Sequence, residues 1–178
     1  MSSAEFPPLF DEMVAFPSLD DLTIQYLGEH TTCIWGSSVS STSFCKLNRL
    51  SIYTCNKLES VIPVSMLNRL HNLEYLNIED CSRLRNAFPP CIARDLIRLE
   101  YMWIHYCGMM TEIIGGGDQQ KEKEISDNED HDIIMFPNLT DLNLVDLQNL
   151  TGFRAYQNWE SNTCKVHLFF SRLHLYER

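Results

Sequence analysis

Seven cysteines are the most reactive side chains of this chain, and three of them, Cys55, Cys81 and Cys107, stand 26 residues apart. Thiols could ligate zinc, cross-link or attack an electrophile. Zinc sites usually include close C-x-x-C pairs, so steps of 26 residues argue against a metal. The start, Met1-Ser-Ser-Ala-Glu-Phe-Pro-Pro, has neither the basic region nor the apolar core of a secretory signal, which favours reduced, intracellular thiols. Phosphate-binding, nucleophile-elbow and zinc-protease motifs are missing. The histidines form no triad: the pattern puts His105 and His174 on strands, and His30, His71, His131 and His167 in return segments. No enzyme constellation and no cofactor site is expected. The cysteines are expected to be small buried fillers with a weak S–H donor.

Those cysteines must be positioned by something that repeats, and each closes the same phrase. The chain reads Leu47-x-x-Leu50-x-Ile52-x-x-Cys55, then Leu73-x-x-Leu76-x-Ile78-x-x-Cys81, then Leu99-x-x-Met102-x-Ile104-x-x-Cys107. An earlier copy (Leu19, Leu22, Ile24, Leu27) and a later one (Leu139, Leu142, Leu144, Leu147) carry leucine in place of cysteine. A sixth copy is read at Phe170-x-x-Leu173-x-Leu175. Successive anchors lie 28, 26, 26, 40 and 31 residues apart. The phrase is the signature of a leucine-rich repeat, one strand plus a return segment per copy. The fold expected is α/β: a solenoid with a curved parallel sheet on its concave side and irregular or short helical returns on its convex side. Short helical turns are expected at Val64–Leu70 and Pro90–Leu96.

The 40-residue interval is explained by an insertion. Between Asp118 and Asp132 seven acidic residues face only Lys121 and Lys123, a composition expected to be a solvated, mobile loop. It lacks the ligand spacing and glycine turn of an EF-hand. The expected organisation is a lead-in or partial repeat over 1–15, about four repeats over 16–114, the insertion over 115–135, and a further repeat plus a truncated last one over 136–178. The net charge of −10 argues against nucleic acid as a partner, and no apolar run approaches the length of a membrane span. Asn138-Leu-Thr140 and Asn149-Leu-Thr151 match the glycosylation sequon, accidentally in a chain without a secretory signal.

Strand alternation then predicts the outward, concave residues. In order they are Asp21, Thr23, Gln25; Arg49, Ser51, Tyr53; Tyr75, Asn77, Glu79; Tyr101, Trp103, His105; Asp141, Asn143, Val145; and Arg172, His174, Tyr176. The middle of the face is aromatic, and Arg49 falls beside Tyr75. Tyr, Trp and Arg are enriched at binding hot spots, while cross-strand aromatic pairs also stabilise sheets. The partner-binding set expected is Arg49, Tyr53, Tyr75, Asn77, Tyr101, Trp103 and His105.

Four phrases in order carry a family resemblance: Leu73-Glu-Tyr-Leu-Asn-Ile-Glu-Asp-Cys-Ser-Arg-Leu84, Cys107-Gly-Met-Met-Thr-Glu-Ile-Ile-Gly115, Phe136-Pro-Asn-Leu-Thr-Asp-Leu-Asn-Leu144 and Leu147-Gln-Asn-Leu-Thr-Gly-Phe153. Over roughly residues 16–153 the chain resembles the leucine-rich-repeat region of plant nucleotide-binding disease-resistance receptors of the coiled-coil class. The resemblance implies a cytoplasmic recognition module whose partner is a pathogen effector, a guarded host protein or the receptor's own nucleotide-binding domain. This chain shows neither coiled coil nor nucleotide-binding domain, so no binding of ADP or ATP is expected, and its end within a repeat is expected of a fragment of a longer receptor or of a truncated gene product. Two other readings compete. An F-box-type adaptor also repeats cysteine every 26 residues but follows it with a different helix. A receptor ectodomain would carry Asn in place of cysteine.

Overall fold

The computed structural model describes residues 8–13, 15–115, 136–151 and 165–169. Six five-residue strands follow one another: β1 (Asp21–Gln25), β2 (Arg49–Tyr53), β3 (Tyr75–Glu79), β4 (Tyr101–His105), β5 (Asp141–Val145) and β6 (Lys165–Phe169). They form one parallel sheet in sequence order, each strand hydrogen-bonded to the next. Register is strict. Leu50, Leu76, Met102 and Leu142 pair in one row, and Ile52, Ile78, Ile104 and Leu144 in another. A parallel pair needs a crossover connection, and the described return segments between β1 and β4 build the opposite wall of the solenoid.

Among the described residues the returns contain little helix. The turn expected at Val64–Leu70 is a single 3-10 turn, Val64–Met66. The one expected at Pro90–Leu96 is α1 (Pro90–Asp95), which opens with proline in its first turn, where the missing N–H costs nothing. Elsewhere the return side is stitched by isolated parallel bridges, Phe10 to Trp35, Cys33 to Ser60 and Phe88 to Ile114.

The core is a set of columns. The inward residues of β2 to β4, the anchors Leu47, Leu73 and Leu99, the three cysteines, and the return residues Leu58, Leu84 and Met110 are all fully buried. Each copy is covered by its neighbours, the condition under which a repeat too small to hold a core becomes stable. At the first strand an aromatic cluster fills the space between sheet and return. Phe44 meets Trp35 edge-on at 4.8 Å, with Phe10 and Phe16 at 5.2 and 5.7 Å. The Trp35 indole N–H donates to the carbonyl of Val61.

The chain turns off each of β1 to β5 through one left-handed residue: Tyr26, Thr54, Asp80, Tyr106 and Asp146, with φ between 52° and 55°. Its N–H donates to the last carbonyl of the next strand, as from Thr54 to Glu79 and from Asp80 to His105. The turn thus aims the following residue, cysteine in three copies, into the core.

The 40-residue interval between β4 and β5 leaves the stacking intact. Four side chains tie the later copy to the earlier one: the Asn138 and Asn149 amides donate to the carbonyls of Ile97 and Gly108, and the Thr140 and Thr151 hydroxyls to those of Glu100 and Thr111. The two sequon-like triplets are thus structural links. From Gly116 to Met135 the expected acidic insertion lies outside the described residues.

One placement is corrected. A strand forms at Lys165–Phe169, so His167 stands on a strand instead of in a return, while the expected segment around Leu173 and Leu175 lies outside the described residues. Pairing with β5 selects Val166 and Leu168 for the inward rows, so a weakly patterned stretch takes the register that the anchor at Phe170 suggested for residues further on. Arg172, His174 and Tyr176 lie outside the described residues.

Candidate functional site: an aromatic sheet face

The strands that bury the cysteine column at one end carry the aromatic residues on their outward face. Tyr75 and Tyr101 are register partners on β3 and β4, their ring centroids 6.3 Å apart. Trp103, two residues along β4, meets Tyr75 edge-on at 5.4 Å. His105 stacks on Trp103, 6.3 Å away with planes only 11° apart. On the other flank the Arg49 guanidinium sits 4.5 Å above the centre of the Tyr75 ring and 3.6 Å from the Asp21 carboxylate. Alternation supplies the placement: side chains two apart on a strand share a face, and parallel register lines them up across strands.

All seven residues expected from the sequence lie on this face. Tyr53 joins through its hydroxyl, which takes a hydrogen bond of 2.9 Å from the Asn77 amide. Asn77 and Ser51, expected to be outward, are outward but buried, at 5 and 4% exposure. Short side chains between large rings on strands about 4.8 Å apart are roofed by those rings. Tyr101 remains 41% exposed.

Two members were not singled out by sequence reasoning, Asp141 and Asn143 on β5. Asp141 accepts a hydrogen bond of 3.1 Å from the Trp103 indole, and Asn143 is the register partner of Trp103. The available signal was their outward position in the fifth phrase, obscured by a gap of 38 residues in sequence.

The face holds polar atoms with nothing to bond. Asn77 Oδ1, Asn143 Oδ1 and His105 Nε2 are buried without a partner. Buried polar groups in native proteins are overwhelmingly paired, and an unpaired one costs about 1–3 kcal/mol. The Tyr75 phenol is held above its ordinary value, first by burial and then by the neighbouring Tyr53, with Arg49 pulling the other way. It is neutral at physiological pH.

The cysteine column is the opposite case. Cys55, Cys81 and Cys107 are fully buried, and each Sγ lies 3.3–3.5 Å from the carbonyl two residues back. The hydrogen bond between neighbouring thiols, then burial, pushes Cys55 up. The Cys81 thiol is pushed up to about 12, chiefly by its bond with Cys107, and that same bond draws Cys107 down. Cys55 and Cys81, held protonated in a dry column, are poor nucleophiles. Among the described residues no three His, Cys, Asp or Glu side chains are grouped to hold a metal ion, and no helix is long and apolar enough to cross a membrane.

The family profile of plant disease resistance protein RPS2-like leucine-rich repeats matches residues 10–82 and 69–108. No curated protein and no solved structure matches the chain.

Proposed function

The chain belongs to the plant disease resistance protein RPS2-like leucine-rich repeats, and from that membership we propose that it is the recognition module of an intracellular immune receptor. Its task is to contact a protein partner, which is a pathogen effector, a guarded host protein or the receptor's own nucleotide-binding domain. The observation that carries the reading is the half-exposed aromatic face with Tyr75, Tyr101 and Trp103 at its centre, ring against ring. Rigid aromatics lose little side-chain entropy on binding, and their area makes them frequent anchors of interfaces. The unpaired Asn77, Asn143 and His105 atoms give the same face polar groups whose needs a partner would meet.

The proposed role is binding. Cys55, Cys81 and Cys107 stand buried in the core, and the face presents aromatic, guanidinium, imidazole, amide and carboxylate groups in contact with one another. A pull-down from leaf tissue, comparing the wild-type chain with a Tyr75→Ala/Trp103→Ala variant, tests the reading. Loss of specific co-purifying proteins in the folded variant is expected. An unchanged set would remove the face from the account.

A further inference from the structure

One row of the sheet face runs Asp21, Arg49, Tyr75, Tyr101, Asp141 across five strands. Its first half is a complete interaction: a carboxylate, a guanidinium and the aromatic ring beneath that guanidinium. Its second half has the ring and the carboxylate, Tyr101 and Asp141, adjacent in register. Among the described residues no cation lies over Tyr101 or Trp103, and Asp141 forms no ion pair. Lys165, beyond Asp141 in the row, has an interaction of its own.

From this asymmetry we infer that the corner formed by Tyr101, Trp103, Asp141 and Asn143 is a subsite for an arginine side chain of the protein partner. The inference rests on the proposed role of this face in partner binding.

Each group at the corner asks for a donor or a cation. Asp141 Oδ1 already accepts the Trp103 indole N–H at 3.1 Å, and a carboxylate has further acceptor sites for an N–H fork. Asn143 lies on the same face two residues along β5, and its Oδ1 has no partner. Tyr101 offers an exposed ring, and guanidinium groups stack on such rings and are less strongly hydrated than ammonium groups. A planar fork resting on Tyr101 or Trp103 would reproduce what Arg49 does on Tyr75, with Asp141 in the place of Asp21. Charge complementarity agrees, since Glu79 and Glu100 border the same strands with no ion pair among the described residues and the chain carries −10 overall. An acidic or purely apolar partner leaves Asp141 and Asn143 unanswered.

The test uses the purified full chain and three probes of one length: a glycine–arginine peptide, the same peptide with citrulline, and the same peptide with glutamate. Citrulline keeps the planar shape and loses the charge. Binding is followed by the indole N–H resonance of Trp103, assigned with a Trp103→Phe variant. The arginine peptide is expected to shift that resonance saturably, and citrulline and glutamate peptides are not. Asp141→Asn, which keeps the acceptor for Trp103, is expected to weaken the arginine peptide by roughly tenfold, and Tyr101→Ala by a similar factor. A missing saturable shift, equal binding by citrulline, or unchanged affinity in Asp141→Asn overturns the inference; the last would place the peptide on other carboxylates, such as those of residues 118–132. If the pull-down depends on Trp103 while the arginine peptide fails, the binding face stands and the subsite falls. If the peptide binds as expected while the pull-down is indifferent to Trp103, the reverse holds.

Discussion

The cysteine column and the aromatic face are built by the same three consecutive strands, yet they answer burial in opposite ways. In the column, one residue type recurs at one position, every thiol is fully buried, and each Sγ has a carbonyl within reach. On the face, the residue type varies along a row, from Arg49 through Tyr75 and Tyr101 to Asp141, or from Ser51 to Asn77 to Trp103. Three of its polar atoms are buried without a partner. Translation along a solenoid explains the contrast. A position that packs against its own copies above and below is under the same constraint in each repeat. A position that faces outward is released from that constraint and can be specialised one repeat at a time.

The most severe way to break the comparison is to damage the column's side. Leu76→Ala, at a fully buried position, is expected to lower stability by about 3 kcal/mol through lost burial and a cavity, measured by urea unfolding. A loss below about 1 kcal/mol would mean that the columns are not the packed core. Trp103→Ala probes the other side. It is expected to weaken partner binding by about 2 kcal/mol, read by titration calorimetry, and to leave the unfolding midpoint nearly unchanged. A fall in stability as large as that of Leu76→Ala would make the face structural and abolish the contrast.

A smaller effect sharpens the chemistry of the column. The Cys81 thiol is pushed up to about 12 in the folded chain, above its value when unfolded. The stability it contributes is therefore complete below about pH 8 and is lost as pH rises above 9, at about 1.4 kcal/mol per pH unit. Cys107, drawn down, offsets part of this. Cys81→Ala is expected to flatten the alkaline fall in denaturant stability; an unchanged slope would contradict the thiol–thiol coupling. The smallest change lies where the two regions join. Thr54 is a β-branched residue at φ 53°, a conformation that asparagine tolerates better. Thr54→Asn is expected to stabilise by roughly 0.5–1 kcal/mol, visible as a higher melting temperature.

What the sequence made legible follows the same division. Leu50, Ile52 and Cys55 recur as a phrase, so strands β1 to β5 and the inward rows could be placed residue by residue. Tyr75, Trp103 and Arg49 followed from alternation alone. The sixth strand escaped because Lys165–Phe169 offers Val166 and Leu168 without a leucine anchor three residues earlier, and its place is set by pairing with β5. The cluster of Phe10, Phe16, Trp35 and Phe44 escaped because it joins return segments of uneven length, although Phe16 and Phe44 both stand three residues before an anchor leucine. Asp141 escaped as a partner of Trp103 because 38 residues separate them. Interrupted repeats hide neighbours that the sheet restores.

Site-specific photocrosslinking in plant cells tests the central claim most directly. A photoreactive amino acid replaces Tyr101 on the sheet face in one variant and exposed Arg94 on α1, in the return, in another. Discrete protein adducts are expected from position 101 and are lost on adding Trp103→Ala, with few or none from position 94. Equal adducts from both positions, or adducts from position 94 alone, would contradict that claim.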